Sequence, residues 1–176
     1  NYVLYHYLAT GKGIYLVKDV ELRAFLIIIL SAIIICTMGL VIVNGQAPGP
    51  ALRDAGFEVV SMATTAGYMR SQYIVWPVVC QITLIALMFI GGCSSSTSGS
   101  IKVIRILVML KLVFRGSMKR IHPRSVVAVK FGKTAVSAPI VSAITAFILT
   151  YCLMLLVSVF VLSFQGFSME TTITAA

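Results

Sequence analysis

The chain has 176 residues, of which 59% are hydrophobic and 11% charged, and its formal net charge is +9. Soluble domains usually carry about a quarter charged residues, so the composition excludes an ordinary soluble globular protein. Charged residues are absent from three stretches, 24–52, 71–101 and 134–169. Each stretch exceeds the about 20 apolar residues that a spanning helix needs. The sequence therefore predicts an integral membrane protein with three membrane spans.

The distribution of charge predicts the orientation in the membrane. Residues 102–133 carry nine basic side chains and no acid. Next to membrane spans, such a cluster marks the cytoplasmic side more often than a nucleic-acid site. The segment before the first span is mildly basic, and the segment between the first two spans has no net charge. We expect both basic segments inside and residues 44–73 outside, in a multi-pass protein of the plasma membrane (in bacteria, the inner membrane) with no nucleic-acid partner.

The first elements in chain order are a lead-in and a span. Residues 1–23 form a predicted cytoplasmic lead-in, in which Asp19 and Glu21 stand where acids favour a helix N-terminus. The first span is predicted over 24–43, and the Asn, Gly and Pro residues that follow it break the helix. The chain starts without Met and stops as a new element begins, so we interpret it as an internal part of a larger protein.

The next stretch has the pattern of a re-entrant hairpin. A helix over 51–63 is too short to cross a bilayer. It begins with the charged residues Arg53, Asp54 and Glu58 and ends with apolar and small residues. A turn over 64–68 and a polar return follow it. Because non-helical backbone at membrane depth survives only inside protein or along a water-filled cavity, the pattern predicts a pore helix and a filter strand.

The second span is predicted over 73–114 and is broken. Ten small or polar residues interrupt it: Gly91, Gly92, Cys93, Ser94, Ser95, Ser96, Thr97, Ser98, Gly99 and Ser100. Glycine and serine are poor helix formers, so we expect an unwound loop over 91–100 about halfway across the membrane. A helix resumes at Ile101 and continues to Phe114.

The remaining elements are a connection, a span and the start of a further helix. A basic cytoplasmic connection is predicted over 115–133, a third span over 136–164, and the start of a second pore helix over 168–176. The predicted fold class is therefore an all-α integral membrane protein. It contains a span–pore-helix–span repeat with a re-entrant filter hairpin and a broken second span.

The turn after the short helix has residues suited to a dehydrated cation: Thr64, Thr65, Ala66, Gly67 and Tyr68. Backbone carbonyls can replace the hydration shell of K⁺, and a glycine permits the unusual dihedral angles of such a strand. The Thr65 hydroxyl can add an oxygen, and Tyr68 can pack outward. The string T-x-G-Y occurs in potassium-channel filters, but it is short, and an ordinary extracellular turn is the alternative.

The loop over 91–100 has three interpretations. Unwound helices bind ions or solutes in transporters, small residues form packing surfaces between helices, and a flexible segment can plug a pore beneath a filter. Lys102 and Arg105 follow on one helical face, near membrane depth, where cations are costly and usually functional. Both are candidate gating charges, and the alternative for each is to extend to the membrane surface.

The sequence carries no pattern for catalysis or for a resident metal. Cys36, Cys80, Cys93 and Cys152 lie far apart, without a CxxC or Cys/His pairing, and are interpreted as small membrane-buried residues. The two histidines have no partnered carboxylate or cysteine nearby. We therefore predict that the protein is not an enzyme, that it needs no cofactor, and that it binds no metal beyond the transported cation.

The order of these elements resembles the repeated units of the Trk/Ktr/HKT potassium transporter family, and in particular the third pore repeat with the start of the fourth. The strings that carry the resemblance are FEVVS at 57–61, TTAGY at 64–68, FIGGCSSSTSGSIKVIR at 89–105 and IHPRSVV at 121–127. The string over 89–105 is the most specific of them, and the resemblance covers essentially the whole chain.

The resemblance implies potassium uptake through a pore built from four such units in one polypeptide, with one filter strand from each. It implies that residues 64–68 bind the transported potassium ion and that 91–100 is an intramembrane gate. Expected partners are membrane lipid, the other three repeats, a second copy in a homodimer, and a cytosolic nucleotide-binding regulatory subunit. The alternative function is a secondary transporter that binds a solute at the serine-rich broken helix, for which an inverted repeat is the expected signature.

Overall fold

The computed structural model is mainly helical. It describes residues 2–11, 19–94, 96–121, 130–131, 134–135 and 137–164. The helices are α1 (Tyr2–Ala9), α2 (Val20–Asn44), α3 (Pro48–Ala63), a 3₁₀ turn (Tyr73–Val75), α4 (Val78–Phe89), α5 (Val103–Ile121) and α6 (Ala138–Ser163). Short strands pair in parallel as β1 (Ile90–Gly91) with β2 (Ile101–Lys102), and antiparallel as β3 (Lys130–Phe131) with β4 (Thr134–Ala135). The chain divides into two compact units, residues 1–106 and 107–176.

The core of the first unit lies where α2, α3 and α4 pack against one another. Each helix contributes a narrow stripe of mostly small side chains at helical spacing: Ala32, Cys36 and Leu40 from α2, Ala51, Ala55 and Val59 from α3, and Cys80, Leu84 and Leu87 from α4. A Cβ added to Gly39 would lie 2.6 Å from the Cys80 Sγ, so the backbone of α2 runs close to α4. Small residues at such crossings are typical of helix packing in membranes.

The ends of α2 and the start of α3 follow from local sequence. The Asp19 carboxylate accepts hydrogen bonds from the backbone N–H groups of Glu21 and Leu22, which caps α2. Gly45 ends that helix with a φ of 64°. Helix α3 begins at Pro48, earlier than the predicted residue 51, because proline fits the first helical position, where no N–H is required.

Two helices of the described residues are long and apolar enough to cross a membrane. They are α2 and α6, with mean hydropathies of 3.1 and 2.5 over 18 residues. In the second unit α6 has no buried residue, so its apolar surface is left for lipid or for other helices. Helix α4 is apolar but has only 12 residues. The predicted second span is therefore not one helix, because an irregular segment separates α4 from α5.

Helix α5 extends further than the sequence predicted. The expected end was Phe114, but the helix continues to Ile121, so the first part of the predicted basic connection is helical. Arginine and lysine have good helix propensity, and residues 115–121 include no proline. Pro123 follows and disfavours helix at the residue before it. Most of 122–133 and all of the predicted element at 168–176 lie outside the described residues.

Candidate functional site

The end of α3 turns the chain sharply into the predicted filter strand. Ala66 N–H donates to the Ser61 carbonyl over 3.0 Å, and Thr65 N–H donates to the Met62 carbonyl over 3.1 Å. These paired bonds form a Schellman motif, in which the residue after the cap is left-handed. That residue is Thr65, with a φ of 56°. Because its side chain is β-branched, the conformation costs about 1–3 kcal/mol and has to be held by its surroundings.

The rest of the predicted filter strand is exposed and irregular. Gly67 has a φ of 72°, in the left-handed region that favours glycine, and no atom lies within 4 Å of a Cβ added there. The Ser61 hydroxyl donates to the carbonyl of Tyr68 over 2.6 Å and fixes the end of the strand to α3. The Tyr68 side chain is 73% exposed. In this chain Thr64 to Tyr68 therefore form an open edge.

A buried carboxylate holds the return from the filter strand. Glu58 is fully buried on α3, and its Oε1 accepts hydrogen bonds from the backbone N–H groups of Arg70 at 2.7 Å and Ser71 at 2.9 Å. The Arg70 side chain also forms an ion pair with Asp54, with Nε–Oδ1 at 3.0 Å. The chain thus returns beside the middle of α3, where Asp54 and Glu58 hold it.

The prediction that Glu58 belongs to a polar helix start was wrong. The side chain faces the return segment inside the hairpin, and its Oε2 has no hydrogen-bond partner among the described residues. An acid among apolar neighbours, Phe57, Val59 and Val60, was the available signal. A buried carboxylate is costly unless it is partnered, so its position predicts hydrogen-bond donors nearby. The sequence did not identify those donors.

The predicted break after α4 is a closed loop. Its ends pair as parallel strands, with Ile90 opposite Ile101, and Val103 N–H donates to the Gly92 carbonyl at 3.3 Å. A Cβ on Gly91 would collide with the Gly99 carbonyl, and one on Gly92 would lie 2.6 Å from the Ser98 Oγ. Close backbone approach therefore requires glycine at 91, whereas at 92 a side chain would displace the serine hydroxyls packed there. The described residues of 91–100 contain no helix.

Serine hydroxyls and one lysine bind the loop to itself. Gly92 N–H donates to Ser98 Oγ at 2.8 Å, and the hydroxyls of Ser96 and Ser98 lie 2.8 Å apart. The Lys102 ammonium donates to the carbonyls of Ser96 at 2.9 Å and Ser98 at 2.5 Å. Lys102, a predicted gating charge, is thus directed into the loop and half-buried. Arg105, the other candidate, lies half-buried in the first turn of α5.

The structure brings the hairpin and the loop into direct contact. Gly99 N–H donates to the Thr65 hydroxyl over 3.0 Å. A cavity of about 270 Å³ separates the end of α3 from the loop, and it is lined by Leu22, Phe25, Ala63, Thr64, Gly92, Cys93, Ser96, Thr97 and Ser98. This space borders Thr64 on one side and loop hydroxyls on the other. It is large enough for several water molecules, whose share of liquid volume is about 30 Å³ each.

The sequence analysis also missed a second buried acid, and this one contacts the loop over 91–100. Glu21, expected only as a favourable charge at a helix start, is buried and binds Ser94. The sequence offered no signal for that pairing, because the two residues stand 73 positions apart. Among the described residues, no group of three or more His, Cys, Asp or Glu side chains is arranged to hold a metal ion.

Sequence and structure comparisons assign this architecture to a family. The family model described as "TrkH: Cation transport protein" matches residues 5–175. The chain belongs to the TrkH family. It is 40% identical over 137 residues to the Trk system potassium uptake protein TrkH of Halomonas elongata, covering 78% of this chain and 28% of that protein. It is 36% identical to the TrkH of Salmonella typhimurium over 168 residues, covering 94% and 35%.

A solved TrkH-family structure has the same fold. The crystal structure of the potassium transporter TrkH from Vibrio parahaemolyticus matches with a TM-score of 0.89 and 33% sequence identity, covering 99% of this chain and 38% of that one. The predicted family and the mainly helical membrane fold are thereby confirmed. The chain spans about a third of the length of the relatives it matches.

Proposed function

We propose that this chain is the third pore repeat, with the start of the fourth, of a potassium uptake subunit of a Trk system. Relatives of the chain are named potassium uptake proteins, and the matched regions cover only 28% and 35% of their lengths. The other repeats then belong to the rest of the polypeptide. One contact carries the proposal: the Gly99–Thr65 hydrogen bond, which joins a filter-like turn to a closed loop beside a shared cavity.

The hairpin has the chemistry of a selectivity filter. Helix α3 ends at Ala63, and its C-terminal dipole, equivalent to about half a negative charge, stabilises a cation near Thr64. The backbone from Thr64 to Gly67 can supply carbonyl ligands to dehydrated K⁺. The carbonyl of Tyr68 already accepts the Ser61 hydroxyl, which makes it a brace of the strand. Equivalent strands of the other repeats would complete the ring of ligands.

The loop over 91–100 acts as an intramembrane gate in this proposal. Its hydroxyls satisfy its own backbone groups, so it forms a compact plug where water is scarce. Small side chains permit a second arrangement at low packing cost, and Lys102 and Arg105 at the start of α5 are the charged positions through which the cytosol could bias it.

We place the subunit in the bacterial inner membrane as a homodimer regulated by a cytosolic nucleotide-binding subunit. Potassium is the transported ligand, and no cofactor is involved.

The alternative, a solute site at the serine-rich segment, has less support. The hydroxyls of Ser96 and Ser98 bind each other, the Gly92 N–H and the loop backbone. The Lys102 ammonium, the natural partner of an anionic solute, is occupied by loop carbonyls. A solute would therefore have to displace the bonds that give the loop its shape.

Ion flux through the full-length protein tests the proposal. In the full-length protein, deletion of residues 93–98 is expected to raise the flux of rubidium, a tracer for potassium, into proteoliposomes. The flux should also become independent of the regulatory subunit. A matched control is Gly116→Ala on α5, where the added Cβ meets no atom within 4 Å and flux should stay at the wild-type level. If the deletion protein inserts normally but its flux stays low and regulator-dependent, the loop is a structural element and the gate proposal is wrong.

A further inference from the structure

Glu21 makes a two-point contact with the loop. It stands in the first turn of α2, and its side chain is 5% exposed. Its Oε1 accepts the backbone N–H of Ser94 and its Oε2 accepts the Ser94 hydroxyl, both over 2.5 Å. One carboxylate thus satisfies both donors of a single loop residue. Hydrogen bonds to an ionised acceptor are about twice as strong as neutral ones.

The start of α2 is arranged so that this carboxylate is available. Asp19 caps the helix by accepting the N–H groups of Glu21 at 2.8 Å and Leu22 at 3.1 Å. The Glu21 side chain is therefore not needed as a cap and can bind elsewhere. Its negative charge also lies in the first turn, where the helix dipole stabilises an anion. These two features explain how a buried acid can be tolerated there.

The loop is attached to its neighbours on both sides of its internal cluster. Ser96, Ser98 and Lys102 bind one another in the middle. Ser94 binds α2 before that cluster, and Gly99 binds Thr65 of the hairpin after it. Without the Ser94 attachment, the first half of the loop would lose a fixed connection to α2, while the internal bonds could persist.

We infer that Glu21 is a positioning residue that clamps the intramembrane loop through Ser94. The inference deepens the proposed function, since the clamp holds the loop in the position in which it blocks the pore. A displacement of the start of α2 would release the loop without breaking its internal bonds. The clamp itself is independent of what the loop does, so it can be tested apart from ion flux.

Cys93 provides the reporter for that test. It adjoins Ser94, lines the cavity and is 4% exposed. In full-length protein whose other cysteines are replaced, a small methanethiosulfonate reagent modifies Cys93 at a rate that depends on loop opening and on the thiolate fraction. Dividing the rate by the thiolate fraction, taken from the pH dependence of the reaction in each variant, gives a rate that measures how often the loop opens. Glu21→Ala and Ser94→Ala are compared with Asp19→Asn. Asp19→Asn is the control, because it removes a negative charge from the same end of α2. Asparagine still caps the helix, and Asp19 makes its capping bonds to α2 itself, so the contact between Glu21 and Ser94 is kept.

Glu21→Ala should raise the rate about tenfold or more, as expected when hydrogen bonds to a charged group are lost. Ser94→Ala removes only the hydroxyl bond and should give a smaller rise, while Asp19→Asn should match wild type. Unchanged rates in both test variants, or an equal rise in Asp19→Asn, would overturn the inference. If Glu21→Ala fails to insert, Ser94→Ala decides alone. Faster modification with unchanged rubidium flux would support the clamp and contradict the gate.

Discussion

Thr65 accepts a hydrogen bond from the backbone N–H of Gly99 while holding a left-handed φ of 56°. The strained residue at the end of α3 is therefore also the residue that contacts the loop. A β-branched side chain is a poor choice for this conformation, and glycine or asparagine would relieve the strain. Glycine has no side-chain acceptor for Gly99. In the proposed function, the contact makes the conformation of the filter strand sensitive to the position of the loop.

Thr65→Val tests this connection, because valine keeps the shape and removes the hydroxyl. The Gly99 N–H then lacks its acceptor, at a cost of about 1 kcal/mol. In the full-length protein, rubidium flux should rise about fivefold, since that energy shifts the loop equilibrium by this factor. Thr65→Ser keeps the acceptor and should have a flux close to wild type. Equal fluxes for the valine and serine variants would contradict the coupling.

Gly67→Ser should reduce discrimination between potassium and sodium. No atom lies within 4 Å of the added Cβ, so the effect comes from φ alone, which at 72° is strained for an L-residue. The measurement is the ratio of potassium to sodium flux in proteoliposomes. Gly56→Ala is the matched control, because it also meets open space but lies within α3. It should keep the wild-type ratio. Unaltered discrimination in Gly67→Ser, with normal expression, would count against a filter at 64–68.

Local patterns predicted the elements of this chain well. Charge-free stretches located the apolar helices α2, α4 and α6, and the cluster of glycine and serine from Gly91 located the break between α4 and α5. Both signals come from residues that are adjacent in the sequence. They reflect how each residue type behaves in lipid or in a helix, so no distant contact has to be known. The predicted end of α5 was less accurate. Its basic residues were interpreted as a cytoplasmic connection, although arginine and lysine favour helix.

Partners that are distant in sequence could not be predicted. Glu58 and Glu21 are both buried acids, and each accepts hydrogen bonds from backbone N–H groups, those of Arg70 and Ser71 for Glu58 and that of Ser94 for Glu21. Every residue except proline has a backbone N–H, so residue identity gives no signal for such a pair. The left-handed conformation of Thr65 was missed for a related reason: tertiary contacts hold it against its intrinsic preference.

Glu58→Leu should destabilise the hairpin. Leucine leaves the part-buried N–H groups of Arg70 and Ser71 without their carboxylate acceptor, and each such loss costs about 1–3 kcal/mol. We expect a lower melting temperature of the full-length protein in detergent, together with weaker potassium selectivity. Glu58→Gln retains one side-chain oxygen and should lie much closer to wild type. Similar melting temperatures for the leucine variant and wild type would show that Glu58 does not brace the return segment.

Lys102→Met should raise potassium flux for two reasons that act together. The carbonyls of Ser96 and Ser98 lose a charged donor, a loss of about 1.5–3 kcal/mol per bond, so the closed form of the loop is weakened. The ammonium group binds Ser96 and Ser98, which line the cavity. Removing it also removes its repulsion of an entering cation, which is strong where water is scarce.

Two variants separate these effects in rubidium flux assays on the full-length protein. Lys102→Gln keeps N–H donors but removes the charge. A flux close to wild type in that variant would assign the rise to the lost hydrogen bonds, and a flux close to that of Lys102→Met would assign it to the lost charge. Arg120→Met removes one positive charge from an exposed position in the last turn of α5, 18 residues further along the chain, and should leave flux unchanged. An equal rise in Arg120→Met would assign the effect to net charge. No rise in Lys102→Met, with normal insertion, would mean that Lys102 stabilises the fold of the loop without restricting conduction.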